Sequence, residues 1–241
     1  MPKDFEPTSG IGASSKRRED IRFLTGAGRY TDDINLRRQT HVFFLRSDVA
    51  HGRITNIDTA AAAAMPGVVR IFTGADFEGV GGLPCGWQVT DKHGEVMKEP
   101  PHPVLAQGKV RHVGDPIAMV IAETLNQARD AAELIEIDYA PLPSVTATAD
   151  AIADGAPAVW DECPDNVCFV FEIGDKEAVE TAFTMADLVT RLDFDINRIA
   201  VAPMEPRACI GEYDKYDERY TLRTGSQGPH GLRQSIAEPI L

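Results

Sequence analysis

Cysteine is scarce in this sequence: 241 residues contain 4, at Cys85, Cys163, Cys168 and Cys209. So few, so irregularly spaced, exclude the disulfide framework of a small secreted domain and read as reduced thiols in a cytoplasmic protein. Only Cys163 and Cys168 lie close together, and no histidine pair follows them, so no zinc site is expected. Basic charge is also in short supply. Lys and Arg number 24 against 37 Asp and Glu, a formal net charge of −13, which opposes the electrostatic attraction that nucleic-acid binding depends on. Long apolar runs are missing, so no membrane-spanning helix is expected. The basic run between Ser15 and Leu24 is followed by Gly, Arg and Asp from Thr25 to Asp33, where an export signal would have an apolar stretch. Walker, HExxH and GxGxxG loops are absent as well. The histidines, His41, His51, His93, His102, His112 and His230, are scattered and read as surface or packing residues.

What is present suits a globular α+β chain. Hydrophobic residues make up 43% and charged residues 25%, enough to bury a core in one large or two modest domains. Val42 to Leu45, Val68 to Phe72 and Ile117 to Ala122 are short apolar runs bounded by Gly, Asp or Pro, as central strands are. Between the first two, Asp58 to Gly67 reads as a short alanine helix with a Pro-Gly stop. Thr124 and Gln127 form a capping box, with Leu125, Ala128, Ala132 and Ile135 on one helical face. Period-two alternation then takes over through Ile137 and Tyr139.

The Gly81 to Pro103 stretch is irregular and proline-bearing, too long for a passive turn, and reads as an exposed or partner-contacting loop. Residues 141–165 read as a connection between two units. Beyond them, Asp175 opens a helix, and Leu188 to Ile196 alternates apolar and charged residues as a one-sided strand. A hairpin is expected from Arg207–Tyr213 and Arg219–Thr224 around a polar turn. The Gly225-Ser226-Gln227-Gly228-Pro229 turn leads into a last helix carrying Leu232 and Ile236. The second unit offers too few elements for two packed layers, so the chain reads as cut.

That turn is the main candidate site. A helix N-terminus presents unpaired N–H groups to an anion, and the glycines let a ligand approach the backbone, although spacing alone favours a simple cap. Ser226 as a hydrolase nucleophile, helped by His230, lacks the glycine spacing of a nucleophile elbow. Glu205 and Arg207 flank Pro206 and read as a structural ion pair.

In order along the chain, Arg18-Glu-Asp20, Gly26-Ala-Gly-Arg-Tyr-Thr-Asp-Asp33, Leu45-Arg-Ser47, Ala50-His-Gly-Arg-Ile54, Pro66-Gly-Val-Val69, Val113-Gly-Asp-Pro-Ile-Ala118 and Ile137-Asp-Tyr139 resemble the α/β hammerhead domain of molybdenum hydroxylase large subunits. Ala182-Phe183, Ala186-Asp-Leu-Val189, Pro203-Met-Glu-Pro-Arg207 and Thr224-Gly-Ser-Gln-Gly-Pro-His230 resemble the opening of that family's molybdopterin-binding domain. The family is that of xanthine dehydrogenase and aldehyde oxidase, and the likeness is to its bacterial, carbon monoxide dehydrogenase-like members.

The resemblance implies an N-terminal arm over 1–17, a hammerhead over 18–145, a linker over 146–165 and the truncated start of a molybdopterin-binding domain over 166–241. It implies a molybdenum-molybdopterin cofactor in the cytosine dinucleotide form, with iron–sulfur clusters and FAD on partners, an iron–sulfur small subunit and a flavin-binding medium subunit. By resemblance, Gln227 and Gly228 bind the cofactor, and Gln227 sits beside the molybdenum, hydrogen-bonding an oxygen on it. No catalytic residue is expected in this chain, because the family's base glutamate matches a region beyond Leu241. The implied activity of the complete subunit is hydroxylation of an aldehyde, a heteroaromatic ring or carbon monoxide with water-derived oxygen. The alternative is a stand-alone hammerhead module with an assembly or interaction role.

Overall fold

The structure is a computed structural model that describes residues 10–11, 13–14, 17–194, 196 and 199–240. Along the chain run α1 (Asp20–Leu24), β1 (His41–Arg46), β2 (Gly52–Asp58), α2 (Ala60–Ala63), β3 (Val68–Thr73), β4 (Lys109–Val110), β5 (Pro116–Ala122), α3 (Leu125–Ala132) and β6 (Glu136–Pro141). There follow α4 (Thr148–Ala151), α5 (Lys176–Met185), β7 (Cys209–Asp214), β8 (Arg219–Thr224) and α6 (Pro229–Ile240). They divide into two compact units, one of Met1–Arg37 and Asn197–Gln227, the other of Arg38–Ile196 and Gly228–Leu241. No described helix is long and apolar enough to cross a membrane.

The larger unit contains two antiparallel three-stranded sheets, ordered β1-β5-β3 and β4-β2-β6. Strand β5 is central and nearly continuously buried, which explains its unbroken apolar sequence. The similar runs in β1 and β3 lie at the sheet edges, not at its centre as their composition suggests. Helix α3 covers the first sheet with Ala128, Ala131 and Ala132, all buried against Ala118, Val120 and Ala122. An alanine face lets a helix backbone approach a sheet closely, so this layer is thin and tightly packed. Leu125, expected on the same face, is instead exposed. Ile117 points to the opposite side of β5, where it packs with Ala106 and Val110, and Ile57 and Ile137 of the second sheet touch both clusters.

The start of α3 carries half of the expected capping box. Thr124 Oγ1 accepts from the Gln127 backbone N–H at 3.2 Å, but it also donates to Gln127 Oε1 at 2.8 Å, so the glutamine side chain meets the hydroxyl and not the backbone. That side chain crosses Gly67, whose φ of +84° suits glycine alone and whose missing Cβ would sit 2.1 Å from Gln127 Nε2.

Several motifs that look unrelated in sequence are stitched together here. Ser47 N–H donates to the Asp115 carbonyl at 2.9 Å and Gly114 N–H returns to the Ser47 carbonyl at 2.7 Å. Arg46 Nη1 donates to the Gly114 carbonyl at 2.9 Å. His51 is buried, with Nδ1 2.7 Å from the Pro143 carbonyl oxygen, a distance that places the proton on Nδ1.

After β6 the chain stays with this unit. Arg111 stacks over the Trp160 ring at 3.6 Å, and Lys109 Nζ pairs with Asp161 at 2.7 Å. Burial lowers the Arg111 pKa from its ordinary value, while the Lys109 ammonium holds the Asp161 carboxyl below the usual aspartate range. The Gly81 to Pro103 loop is bound in the same way, Lys98 N–H donating to the Cys168 carbonyl at 3.0 Å and Lys92 N–H to Val170 at 3.2 Å.

One expected element fails. Residues 188–194 and 196 form no strand, and Leu188, Leu192, Phe194 and Ile196 are exposed; Asp195 lies outside the described residues. Alternation supplies one apolar face, but a strand also needs a neighbour to complete its hydrogen-bond ladder, and none of the described strands pairs with this segment. Helix α5 does form where expected, with the Asp175 side chain accepting from Ala178 N–H at 2.9 Å.

In the smaller unit, α1 ends in a Schellman motif. Ala27 N–H donates to the Arg22 carbonyl at 2.8 Å and Gly26 N–H to Phe23 at 3.1 Å, with Gly26 at φ +73°. This accounts for the first glycine of the Gly26-Ala-Gly motif. The second, Gly28, lies against the Phe23 ring, 2.7 Å from where its Cβ would stand.

Candidate functional site

The β7–β8 hairpin delivers the candidate turn. Its register runs from Asp214↔Arg219 to Cys209↔Thr224, set at the closed end by Asp214, whose side chain accepts from Tyr216 N–H at 2.8 Å and Asp217 N–H at 3.2 Å. Those two bonds hold the Asp214 carboxyl below its ordinary pKa. Tyr213 and Tyr220 face each other across the strands with centroids 4.6 Å apart, and Arg223 pairs with Glu212. At the open end Thr224 Oγ1 donates to the Ala208 carbonyl at 2.9 Å, so the strand is tied down one residue before Gly225.

Glu205 reaches this corner. A Cβ on Gly225 would stand 3.8 Å from Glu205 Oε1, an ordinary contact distance, so the carboxylate lies against this corner. Among the described residues no ion pair joins Glu205 to Arg207, which corrects the pairing expected around Pro206. Gln227, the last residue of the smaller unit, is exposed. The peptide bond that follows leads to Gly228, which is exposed with open space where a side chain would be, and whose carbonyl accepts from Leu232 N–H at 3.0 Å to begin α6.

The four cysteines are free, and among the described residues no group of three or more His, Cys, Asp or Glu could hold a metal ion. Cys163 and Cys168, dismissed on spacing, are linked through Lys98, whose Nζ pairs at 3.0 Å with the Asp165 carboxylate lying 3.8 Å from Cys163 Sγ and whose N–H donates to the Cys168 carbonyl at 3.0 Å. Spacing along the chain carries no signal for a lysine contributed by a distant loop.

Residues 25–143 match the family described as aldehyde oxidase and xanthine dehydrogenase, a/b hammerhead domain, and residues 159–241 match the molybdopterin cofactor-binding domain. The chain belongs to the molybdenum hydroxylase large-subunit family. Among relatives in that family, the nicotine 6-hydroxylase large subunit of Paenarthrobacter nicotinovorans is 37% identical over 229 residues, covering 94% of this chain and 27% of the relative. The carbon monoxide dehydrogenase large chain of Afipia carboxidovorans is 35% identical over 244 residues, covering 96% of this chain and 29% of the relative. The chain therefore spans little more than a quarter of these relatives. The solved structure of a Cu,Mo-CO dehydrogenase superposes with a TM-score of 0.79 at 33% identity, over 95% of this chain and 29% of that one. Quinoline 2-oxidoreductase from Pseudomonas putida 86 gives a TM-score of 0.78, also at 33% identity, over 95% of this chain and 28% of that one. The expected family and hammerhead fold are borne out, and the small-hydrolase reading of Ser226 and His230 finds no support.

Proposed function

We propose that this chain is part of the molybdenum-cofactor subunit of an oxidoreductase that hydroxylates an aldehyde, a heteroaromatic ring or carbon monoxide with water-derived oxygen. The observation that carries this reading is the succession, in one chain, of a hammerhead match and a molybdopterin cofactor-binding match. The domains on this reading are a hammerhead over 18–145 and the molybdopterin-binding region over 166–241, joined by 146–165 and preceded by an arm over 1–17. The cofactor is the cytosine dinucleotide form, and the electrons pass to an iron–sulfur small subunit and a flavin-binding medium subunit in the cytoplasm.

The residues at the turn fit such a group. Gly228 leaves the backbone open where any side chain would stand, and the exposed Gln227 precedes it. A carboxamide has both a donor and an acceptor and does not titrate, so it can hold an oxygen-rich partner whatever the pH. When bound, the cofactor supplies a two-electron centre for oxygen transfer. Gln227 orients that group through its amide, and Gly228 lets it approach the main chain.

The test is Gln227→Ala in the intact protein, purified with the chains that accompany it, with molybdenum and pterin quantified alongside turnover. Cofactor content should stay near wild type while turnover falls about 10- to 100-fold, as when a metal's outer partners are removed. Unchanged turnover at full cofactor content removes Gln227 from the site. Active wild-type material without molybdenum would sink the whole reading, and inactive material without it would favour the stand-alone hammerhead module.

A further inference from the structure

Between Cys163 and Cys168 the chain makes a tight turn through Asn166, which adopts φ +56°. Asn166 N–H donates back to the Cys163 carbonyl at 2.9 Å, and Val167 N–H donates to Asp165 Oδ1 at 3.2 Å. Cys163 Sγ lies 3.2 Å from the Val167 carbonyl oxygen, whose peptide bond leads into Cys168, and 3.8 Å from Asp165 Oδ1. That carboxylate is paired with Lys98 Nζ at 3.0 Å, and Lys98 N–H is bound to the Cys168 carbonyl at 3.0 Å. A buried thiol, an exposed thiol and an ammonium therefore share one corner of the larger unit.

We propose that Cys163 and Cys168 are a reversible dithiol–disulfide pair, a modification site for small disulfides such as oxidised glutathione. The exposed Cys168 thiolate attacks one sulfur of oxidised glutathione; a protein–glutathione S–S bond forms, the glutathione S–S bond breaks, and one glutathione thiolate leaves. Cys163 then attacks Cys168 Sγ, forming the intramolecular bond and expelling the second glutathione thiolate. The two protein thiols are oxidised by two electrons, the glutathione disulfide is reduced to two thiols, and the two protons released by the cysteines end on them.

The roles follow from exposure. An incoming disulfide reaches Cys168, whereas Cys163 is enclosed, and burial raises its pKa so that it stays protonated and inert until the mixed disulfide forms beside it. The Lys98 ammonium, paired with Asp165 at 3.0 Å, stands close enough to Cys163 to oppose part of that rise. A ring closed across so few residues removes less entropy from the unfolded chain than a long loop would, so the bond adds little stability and stays open to reduction. That distinguishes a responsive pair from a structural disulfide.

The experiment incubates the intact protein with oxidised glutathione under native conditions, blocks free thiols with iodoacetamide and analyses peptides by mass spectrometry. The peptide spanning Cys163 and Cys168 should escape alkylation at both sulfurs and weigh two hydrogens less than the reduced form. Dithiothreitol should restore both alkylation sites. In Cys163→Ser the reaction should stop with glutathione attached to Cys168, and in Cys168→Ser residue Cys163 should remain unmodified. Stable glutathione on Cys168 in the wild type, or two unmodified thiols, overturns the proposal. So does a disulfide that appears only after the protein is denatured.

Discussion

Replacing Gly67 by alanine tests how the first sheet and α3 are joined. Two costs are expected. An alanine at φ +84° costs about 1 kcal/mol relative to glycine. Its Cβ would also stand 2.1 Å from Gln127 Nε2, forcing the glutamine side chain away and breaking the 2.8 Å bond from Thr124, which adds about 1 kcal/mol. The main-chain bond from Glu123 N–H to the Gly67 carbonyl, at 2.9 Å, is retained. The sum of about 2 kcal/mol corresponds to a fall of about 1 M in the urea midpoint for a slope near 2 kcal/mol/M. Trp160 fluorescence reads the transition, because its ring lies under Arg111 on the same unit. The two costs are separable by a second substitution. With Gln127→Ala already in place the obstruction is gone, so Gly67→Ala should cost about 1 kcal/mol less than in the wild type. Strict additivity of the two changes, or a loss below about 0.5 kcal/mol for Gly67→Ala alone, would refute the reasoning.

Ile117→Ala should destabilise the larger unit by about 3 kcal/mol in the same titration, since Ile117 is fully buried in a cluster with Ala106 and Val110 and its truncation leaves a cavity there; a loss under about 1 kcal/mol contradicts that packing. The Lys109–Asp161 pair should be sensitive to acid. Asp161 has its pKa lowered in the folded state, so the unfolded chain binds the extra proton first, and the pair's stabilisation is present above the ordinary aspartate value of about 3.9 and lost as pH falls through the folded value. Lys109→Met should move the Asp161 carboxyl titration, followed by NMR, upward toward that ordinary value, and an unchanged midpoint would refute the assignment.

The sequence revealed different parts of the molecule to different degrees, for physical reasons. Strand β5 was legible because burial on both faces demands an unbroken apolar run, and α5 because Asp175 carries the local cap. Strand β2, read as motif and not as strand, has charged and polar residues such as Arg53, Asn56 and Asp58 through its length, because its stability comes from pairing with β6, which is non-local. Residues 188–194 and 196 form no strand for the converse reason: the apolar alternation is there, but none of the described strands pairs with them. At the candidate site the Gly225–Gly228 turn was visible from composition, and the family resemblance singled out Gln227. The approach of Glu205 to Gly225 and the arrival of Lys98 beside Cys163 and Cys168 were not visible, since each joins residues whose separation along the chain carries no periodic signal.

The clasp formed by Arg111 on Trp160 and Lys109 on Asp161 bears on what a cut in the backbone would do. Asp154 and Gly155 are exposed and lie between the last strand of the second sheet and that clasp, where a protease would find the chain accessible. Because the residues beyond the cut grip the sheet through a stacked ring and an ion pair, and Asn166 holds the Ala151 and Pro157 carbonyls at 2.9 and 3.1 Å, the two pieces would stay together after cleavage. A nick there would show on a denaturing gel and leave the native molecule's size unchanged.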